Sequence, residues 1–108
     1  MHHVRSGNLL STDSVKFLDK IMKQTSTGSD KLKAGIPKNL ALYHKTGSSS
    51  RLSNGIKIAD NDAGYVILPD GKTYYIAVLI ENSKLYDTEN AKIISNISAI
   101  VYKFFNHL

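Results

Sequence analysis

Apolar residues along this chain change period twice, and each change marks a change of element. Val15, Leu18 and Met22, with Ile21 alongside, recur at helical spacing behind the polar cluster Ser11-Thr12-Asp13-Ser14. That pattern predicts a helix over about 12–23, with its N-cap in the cluster. The polar stretch 24–30 ends it, and the turn-prone Ile36-Pro37-Lys38-Asn39 follows. Between them lies a connector with room for one short helical turn. Residues 40–46 then read as a strand, stopped by Gly47 and the run Ser48-Ser49-Ser50, with a loop to about Asn61.

The arms 63–68 and 73–80 flank Pro69-Asp70-Gly71-Lys72, whose proline and glycine suit a tight turn, and together they predict a β-hairpin. In the second arm Tyr74, Ile76, Val78 and Ile80 alternate with Tyr75, Ala77 and Leu79, so both faces are apolar and both are expected to be covered. From 87 to about 107, Ala91, Ile94, Ile97, Val101 and Phe104 form one stripe, widened by Ile93, Ile100 and Phe105. This is a long amphipathic helix, capped by Asp87 or Thr88 and able to lie across the sheet. The reading is an α+β fold: an antiparallel three-stranded sheet flanked by an N-terminal helix and a long C-terminal helix, in one domain over 1–108.

Composition narrows the options more than it selects among them. A chain of 108 residues supports one modest core, burying about 60–70% of its unfolded surface. Fourteen Lys and Arg against nine Asp and Glu leave a net charge of +5. The lysines are scattered over every segment and the aromatics sit in strand and helix patterns, which speaks against nucleic acid as a partner. Absence of cysteine excludes disulfides and thiolate metal sites. His2 and His3 are adjacent and lack the spacing of a zinc site, so neither a metal nor a cofactor is expected. No stretch of about 18 apolar residues and no signal-like start occur, so the expectation is no membrane segment and, for the chain expressed as written, the cytoplasm.

Candidate chemistry centres on Lys45-Thr46-Gly47 at a strand end. Lys-Thr-Gly accompanies Ser-x-x-Lys and Ser-Asp-Asn in class A β-lactamases and penicillin-binding proteins. The tripeptide here is followed by a loop, by a hairpin containing Asn61-Asp62-Ala63-Gly64, and by one long helix. It is preceded by Gly7-Asn8-Leu9-Leu10-Ser11 and by the run from Thr27-Gly28-Ser29-Asp30 to Ile36-Pro37. Over nearly its whole length the chain resembles the carboxy-terminal portion of class A β-lactamases, a partial β-lactamase/transpeptidase-like fold.

The resemblance implies roles. Lys45 would attract the carboxylate of a β-lactam or a peptidoglycan peptide, and Thr46 would donate a hydroxyl to it. Gly47 would let the substrate backbone approach, having no Cβ. The backbone N–H of Ser48 would supply one donor of an oxyanion hole, worth roughly 3–4 kcal/mol in related chemistry. Where some family members place an arginine on the following strand, the matching position is read as Asp60, with Arg51 as a substitute able to reach in from the loop.

No lysine is preceded three positions earlier by a serine, and Ser29-Asp30 is followed by Lys31, so Ser-x-x-Lys and Ser-Asp-Asn are both missing. Acyl transfer needs a nucleophile, a base within reach of it and an oxyanion hole. The expected catalytic residues in this chain are therefore none, with the deacylating acid also placed outside it. A non-catalytic remnant or interaction module is the competing reading. His44 reads as a structural strand residue, Tyr74 and Tyr75 as hairpin core, and Phe104-Phe105 as core or interface. The implied five-stranded family sheet predicts an exposed edge here, hence a homodimer, strand exchange or a complementing amino-terminal chain. Complete family members are usually periplasmic or secreted.

Overall fold

The computed structural model describes residues 27–108 and, before them, Asp13, Ser14, Lys16 and Lys20. Those four are helical and exposed; the rest of the helix expected over 12–23, together with His2 and His3, lies outside the described residues. Three strands, β1 (Ala41–Ser48), β2 (Lys57–Ile67) and β3 (Thr73–Ser83), form an antiparallel sheet in the order β1-β2-β3. A 3-10 turn (Leu32–Gly35) fills the predicted connector, and one long helix (Asp87–Asn106) closes the chain.

β2 begins at Lys57, inside the stretch expected to be loop. A tight turn is the cause: Leu52 N donates to Ile56 O at 2.8 Å and Gly55 N to Leu52 O at 2.9 Å, so the chain reverses within a few residues. Pairing then extends through Ser48↔Asp60 and the bridge Arg51↔Lys57. At the other end Leu68 N donates to Lys72 O at 2.7 Å, and Asp70 Oδ1 accepts from Lys72 N at 3.0 Å, closing the predicted hairpin. Gly64 is required where it sits. A Cβ there would run into Tyr43 O and lie 2.8 Å from His44 Cα, so only glycine lets β1 lie this close.

One face of the sheet carries Leu42, Val66 and Tyr74 in a row, then Thr46, Asp62 and Val78. The 3-10 turn and the long helix cover it, and Leu32, Ile36, Leu42, Val66, Leu68, Tyr74, Val78 and Ile94 make the core. Each such aliphatic side chain contributes about 1.5–3 kcal/mol by leaving water. Tyr74 stacks on Phe105 with ring centroids 4.9 Å apart, its hydroxyl buried without a partner. Burial, and then the neighbouring Tyr102, push that hydroxyl up to about 12.

The helix turns part of the predicted stripe inward, Ala91, Ile94, Val101 and Phe105, but is rotated toward a polar flank. Asn90, Ala91, Ile94 and Ser98 are buried, with Val101, Tyr102 and Phe105 packed beside them. Ile93, Ile97, Ile100 and Phe104 are exposed. Isoleucine on both sides makes hydrophobicity a poor guide, and the decision falls to two polar residues with buried partners. Asn90 donates to Asp60 Oδ2 at 3.3 Å and accepts from Ser83 Oγ at 2.8 Å, while Ser98 Oγ donates to Leu32 O at 2.7 Å. Each would lose its buried hydrogen bonds by facing out, and Leu32 O would lose the Ser98 hydroxyl that it accepts.

The cap also differs from expectation. Tyr86 occupies the N-cap, its backbone N–H donating to Glu89 Oε1 at 3.0 Å. Asp87 is instead a first-turn residue receiving Lys57 Nζ at 3.0 Å and Arg51 Nη2 at 2.8 Å. Those two hydrogen bonds, that of Lys57 first, hold its carboxyl below the usual range.

The second face of the sheet carries Tyr43, Tyr65 and Tyr75 in a row, with the first two stacked at 4.9 Å and the last two tilted at 5.9 Å. Tyr65 is buried, but Tyr75 is 38% and Leu79 65% exposed. The expectation that β3 is covered on both sides is therefore not met here. Alternation shows where cover is needed, and among the described residues no element supplies it on this side.

Candidate substrate-binding margin

β1 is an edge strand among the described residues, and its last four residues form the margin of the sheet. Lys45, Gly47 and Ser48 are exposed and Thr46 is half-buried. Ser49 N donates inward to Ala59 O at 2.9 Å. In an antiparallel ladder successive N–H groups point to opposite sides, so the Ser48 N–H points outward, away from β2. Thr46 shares that outward side, and its carbonyl accepts Lys45 Nζ at 2.8 Å. The ammonium of Lys45 is thereby held over the same edge as the Ser48 donor. Beside Gly47 there is open space: a Cβ would have one near neighbour, Asn61 Nδ2, at 3.8 Å.

Under this exposed edge lies a buried polar hub. Asp62 is 0% and His44 2% exposed. The Asp62 carboxylate accepts from His44 Nδ1 at 2.9 and 3.1 Å and from Leu32 N at 3.2 Å. One side chain thus ties β1, β2 and the 3-10 turn together directly beneath Thr46, its register partner. The loop ahead of the turn completes the support. Thr27 and Thr46 hydroxyls share a hydrogen bond at 2.7 Å, and Gly28, at φ +72°, brings the backbone so close that a Cβ would strike Thr46 Cγ2. His44 is the structural residue the sequence implied, but its acid partner was not foreseen; the signal available was a polar pair at alternating positions of adjacent strands.

Two sequence expectations fail in the geometry. Asp60 does not face the margin. It is 2% exposed on the helix side, paired with Lys31 Nζ at 2.6 Å and Lys57 Nζ at 3.6 Å. The residue that shares the outer side with Gly47 is its register partner Asn61, whose buried Oδ1 has no partner. A one-residue difference in a strand moves a side chain to the other face, and this is that error. Arg51 does not reach in either. Its guanidinium donates to Gly55 O at 2.9 Å, to Leu85 O and to Asp87, anchoring the loop to the start of the helix.

The margin thus presents a lysine, a hydroxyl, a bare glycine and an outward N–H on an antiparallel sheet backed by a long helix. The chain belongs to the β-lactamase enzyme family, whose model matches residues 1–105. It is 50% identical to a β-lactamase of Bacteroides uniformis over 95 residues, covering 87% of this chain and 32% of that protein. To the β-lactamase VEB-1 of Pseudomonas aeruginosa it is 44% identical over 99 residues, covering 92% and 33%. Among solved structures, a class A β-lactamase from Bacteroides cellulosilyticus superposes with a TM-score of 0.93 at 50% identity, over 99% of this chain and 39% of that one. A PBP-A mutant solved as an acyl-enzyme complex with penicillin G superposes at 0.82 and 32% identity, over 100% and 38%. The chain spans about a third of the length of the curated relatives it matches, consistent with their carboxy-terminal portion. Among the described residues, no helix is long and apolar enough to cross a membrane.

Proposed function

We propose that this chain forms the carboxylate-binding wall and half of the oxyanion hole of a class A serine β-lactamase, acting on β-lactams through an acyl-enzyme whose nucleophile another portion supplies. Lys45 provides the point charge for the ligand carboxylate, Thr46 its hydroxyl, Gly47 the clearance and Ser48 the backbone donor. The observation that carries the reading is the outward edge at 45–48, standing on the buried Asp62 hub. A substrate-binding group must be both exposed and rigidly held, and this edge combines the two. No Ser-x-x-Lys occurs in the 108 residues, so the chain alone is expected to be inactive. An exported, periplasmic setting belongs to the same proposal.

Chromogenic cephalosporin hydrolysis tests it. Mixing the chain with the amino-terminal portion of a class A relative is expected to produce turnover that neither part shows alone. No turnover from a mixture shown by gel filtration to associate contradicts the reading. The match to PBP-A keeps a second reading open, a D-alanyl-D-alanine peptidase piece, which release of D-alanine from a peptide by the same mixture would select.

A further inference from the structure

The hairpin that joins β1 to β2 is interrupted just past the candidate edge, and its tip is held from a distance. The ladder runs regularly to Ser48↔Asp60. At the next pair Ser49 N donates to Ala59 O at 2.9 Å, but Ala59 N donates to Ser49 Oγ at 3.0 Å instead of to the Ser49 carbonyl. A hydrogen-bonded antiparallel pair normally exchanges two backbone bonds, so half of what would keep the strands aligned is missing here. Pairing returns as the single bridge Arg51↔Lys57, ahead of the 52–56 turn. The direction of the tip is set instead by the Arg51 guanidinium. It donates to Gly55 O at 2.9 Å within the tip, and outside it to Ser83 O at 3.5 Å, to Leu85 O and to Asp87 Oδ1 at 2.8 Å. Ser83 ends β3, and Leu85 and Asp87 lead into the helix, so all three lie across β2 from the outer edge of β1. The tip is thereby drawn back over the end of the sheet, away from the edge at 45–48.

A lone ion pair in solvent would hold the tip weakly. This one is the last link of a string of alternating charges. The Asp87 side chain, 66% exposed, also accepts Lys57 Nζ at 3.0 Å; the Lys57 side chain is 7% exposed and lies 3.6 Å from Asp60, which binds Lys31 Nζ at 2.6 Å. The anchor is thus fixed in the buried polar layer under the sheet, and the guanidinium fork meets carbonyls of the tip and of the helix approach at once. We propose that Arg51 is a specificity-determining positioning residue: by holding the tip back, it keeps the space beside Ser48 open to a ligand with a bulky substituent. The inference rests on the reading of 45–48 given above, with the carboxylate at Lys45 and Thr46 and the reacting carbonyl at the Ser48 N–H. In a β-lactam the carbonyl carbon lies between the ring nitrogen, which leads to the carboxylate, and the carbon bearing the acylamino side chain. That side chain therefore extends past Ser48, alongside the tip. A tip released from Arg51 spends part of its time over this space, and a ligand that needs the space binds only the remaining fraction.

The test compares two cephalosporins of the same nucleus, one with a small unbranched acylamino side chain and one with a branched, aryl-bearing side chain, in the assembly of this chain with an amino-terminal portion of a class A relative. Arg51→Ala is expected to lower the ratio of kcat/KM, branched over unbranched, by about fivefold to tenfold. Arg51→Lys, whose ammonium reaches Asp87 but cannot also hold Gly55 O and Leu85 O, is expected to restore part of that ratio. Loss of folded protein lowers both values together and leaves the ratio alone. In the isolated chain Arg51→Ala is expected to speed amide exchange at Leu52 and Gly55 by about tenfold and to leave Leu68 and Gly71, in the other turn, unchanged. Turnover by the assembly with an unchanged or raised ratio, or tip amides indifferent to Arg51→Ala, overturns the inference alone. No turnover by parts shown to associate removes the reading beneath it as well.

Discussion

The two margins of this sheet are built on opposite principles. At β1 the edge is polar and exposed, and its rigidity comes from below, where a carboxylate with no solvent access binds a histidine and a backbone N–H. At β3 the edge is apolar, and what lies beneath is packed core, Tyr74 and Val78 against the helix. The first margin is held from beneath by buried polar groups, the second by packed apolar side chains. The two edges differ less in their exposed residues, which any surface has, than in the buried polar groups that hold one of them still.

The comparison is broken most severely at Asp62. Asp62→Leu strands the His44 ring and the Leu32 N–H in a site without water, and is expected to cost about 3–5 kcal/mol, read as a lowered urea midpoint. Gly64→Ala attacks the same margin through the backbone. Its methyl must displace β1, with an expected loss of about 3 kcal/mol and the largest amide shifts at Tyr43 and His44.

On the opposite side Tyr74→Phe removes a buried hydroxyl that has no partner, so it is expected to be neutral or stabilising by up to about 1 kcal/mol. It also sharpens the pH behaviour. With its pKa raised to about 12 in the fold, chiefly by burial, Tyr74 ionises more readily in the unfolded chain, so stability is unaffected below the ordinary tyrosine value and is lost as pH climbs through that window. Wild type should therefore lose stability between pH 10 and about 12 more steeply than Tyr74→Phe, measured by melts across that range. The smallest effect on stability is expected at Lys45. Its side chain is exposed and contacts one carbonyl, so Lys45→Ala should leave the melting point nearly unchanged, within about 0.5 kcal/mol.

Much of this architecture is written in local pattern. The hairpin turn at Pro69-Asp70-Gly71, the alternation in β3 and the long helical period each suffice to place an element. What the pattern hides is decided by partners distant in sequence. Asn90 and Ser98 turn inward because Asp60 and Leu32 wait for them, and isoleucine on both helix faces gives no warning. Asp60 and Asn61 are neighbours of similar polarity, and only the register with Gly47 shows which one meets the outer edge. The tripeptide at 45–47 is legible in the sequence as a motif, whereas the hub of Asp62 and His44 beneath it joins two strands and is not.

The claim on which all this rests is that the 45–48 edge binds the anionic part of a substrate. Its most direct test is the kcat/KM of Lys45→Ala for a chromogenic cephalosporin, measured in the assembly of this chain with an amino-terminal portion of a class A relative. Removing a charge-assisted contact to the carboxylate is expected to lower it by about 30–100-fold, chiefly through KM. An unchanged kcat/KM in an assembly that hydrolyses the substrate would contradict the account.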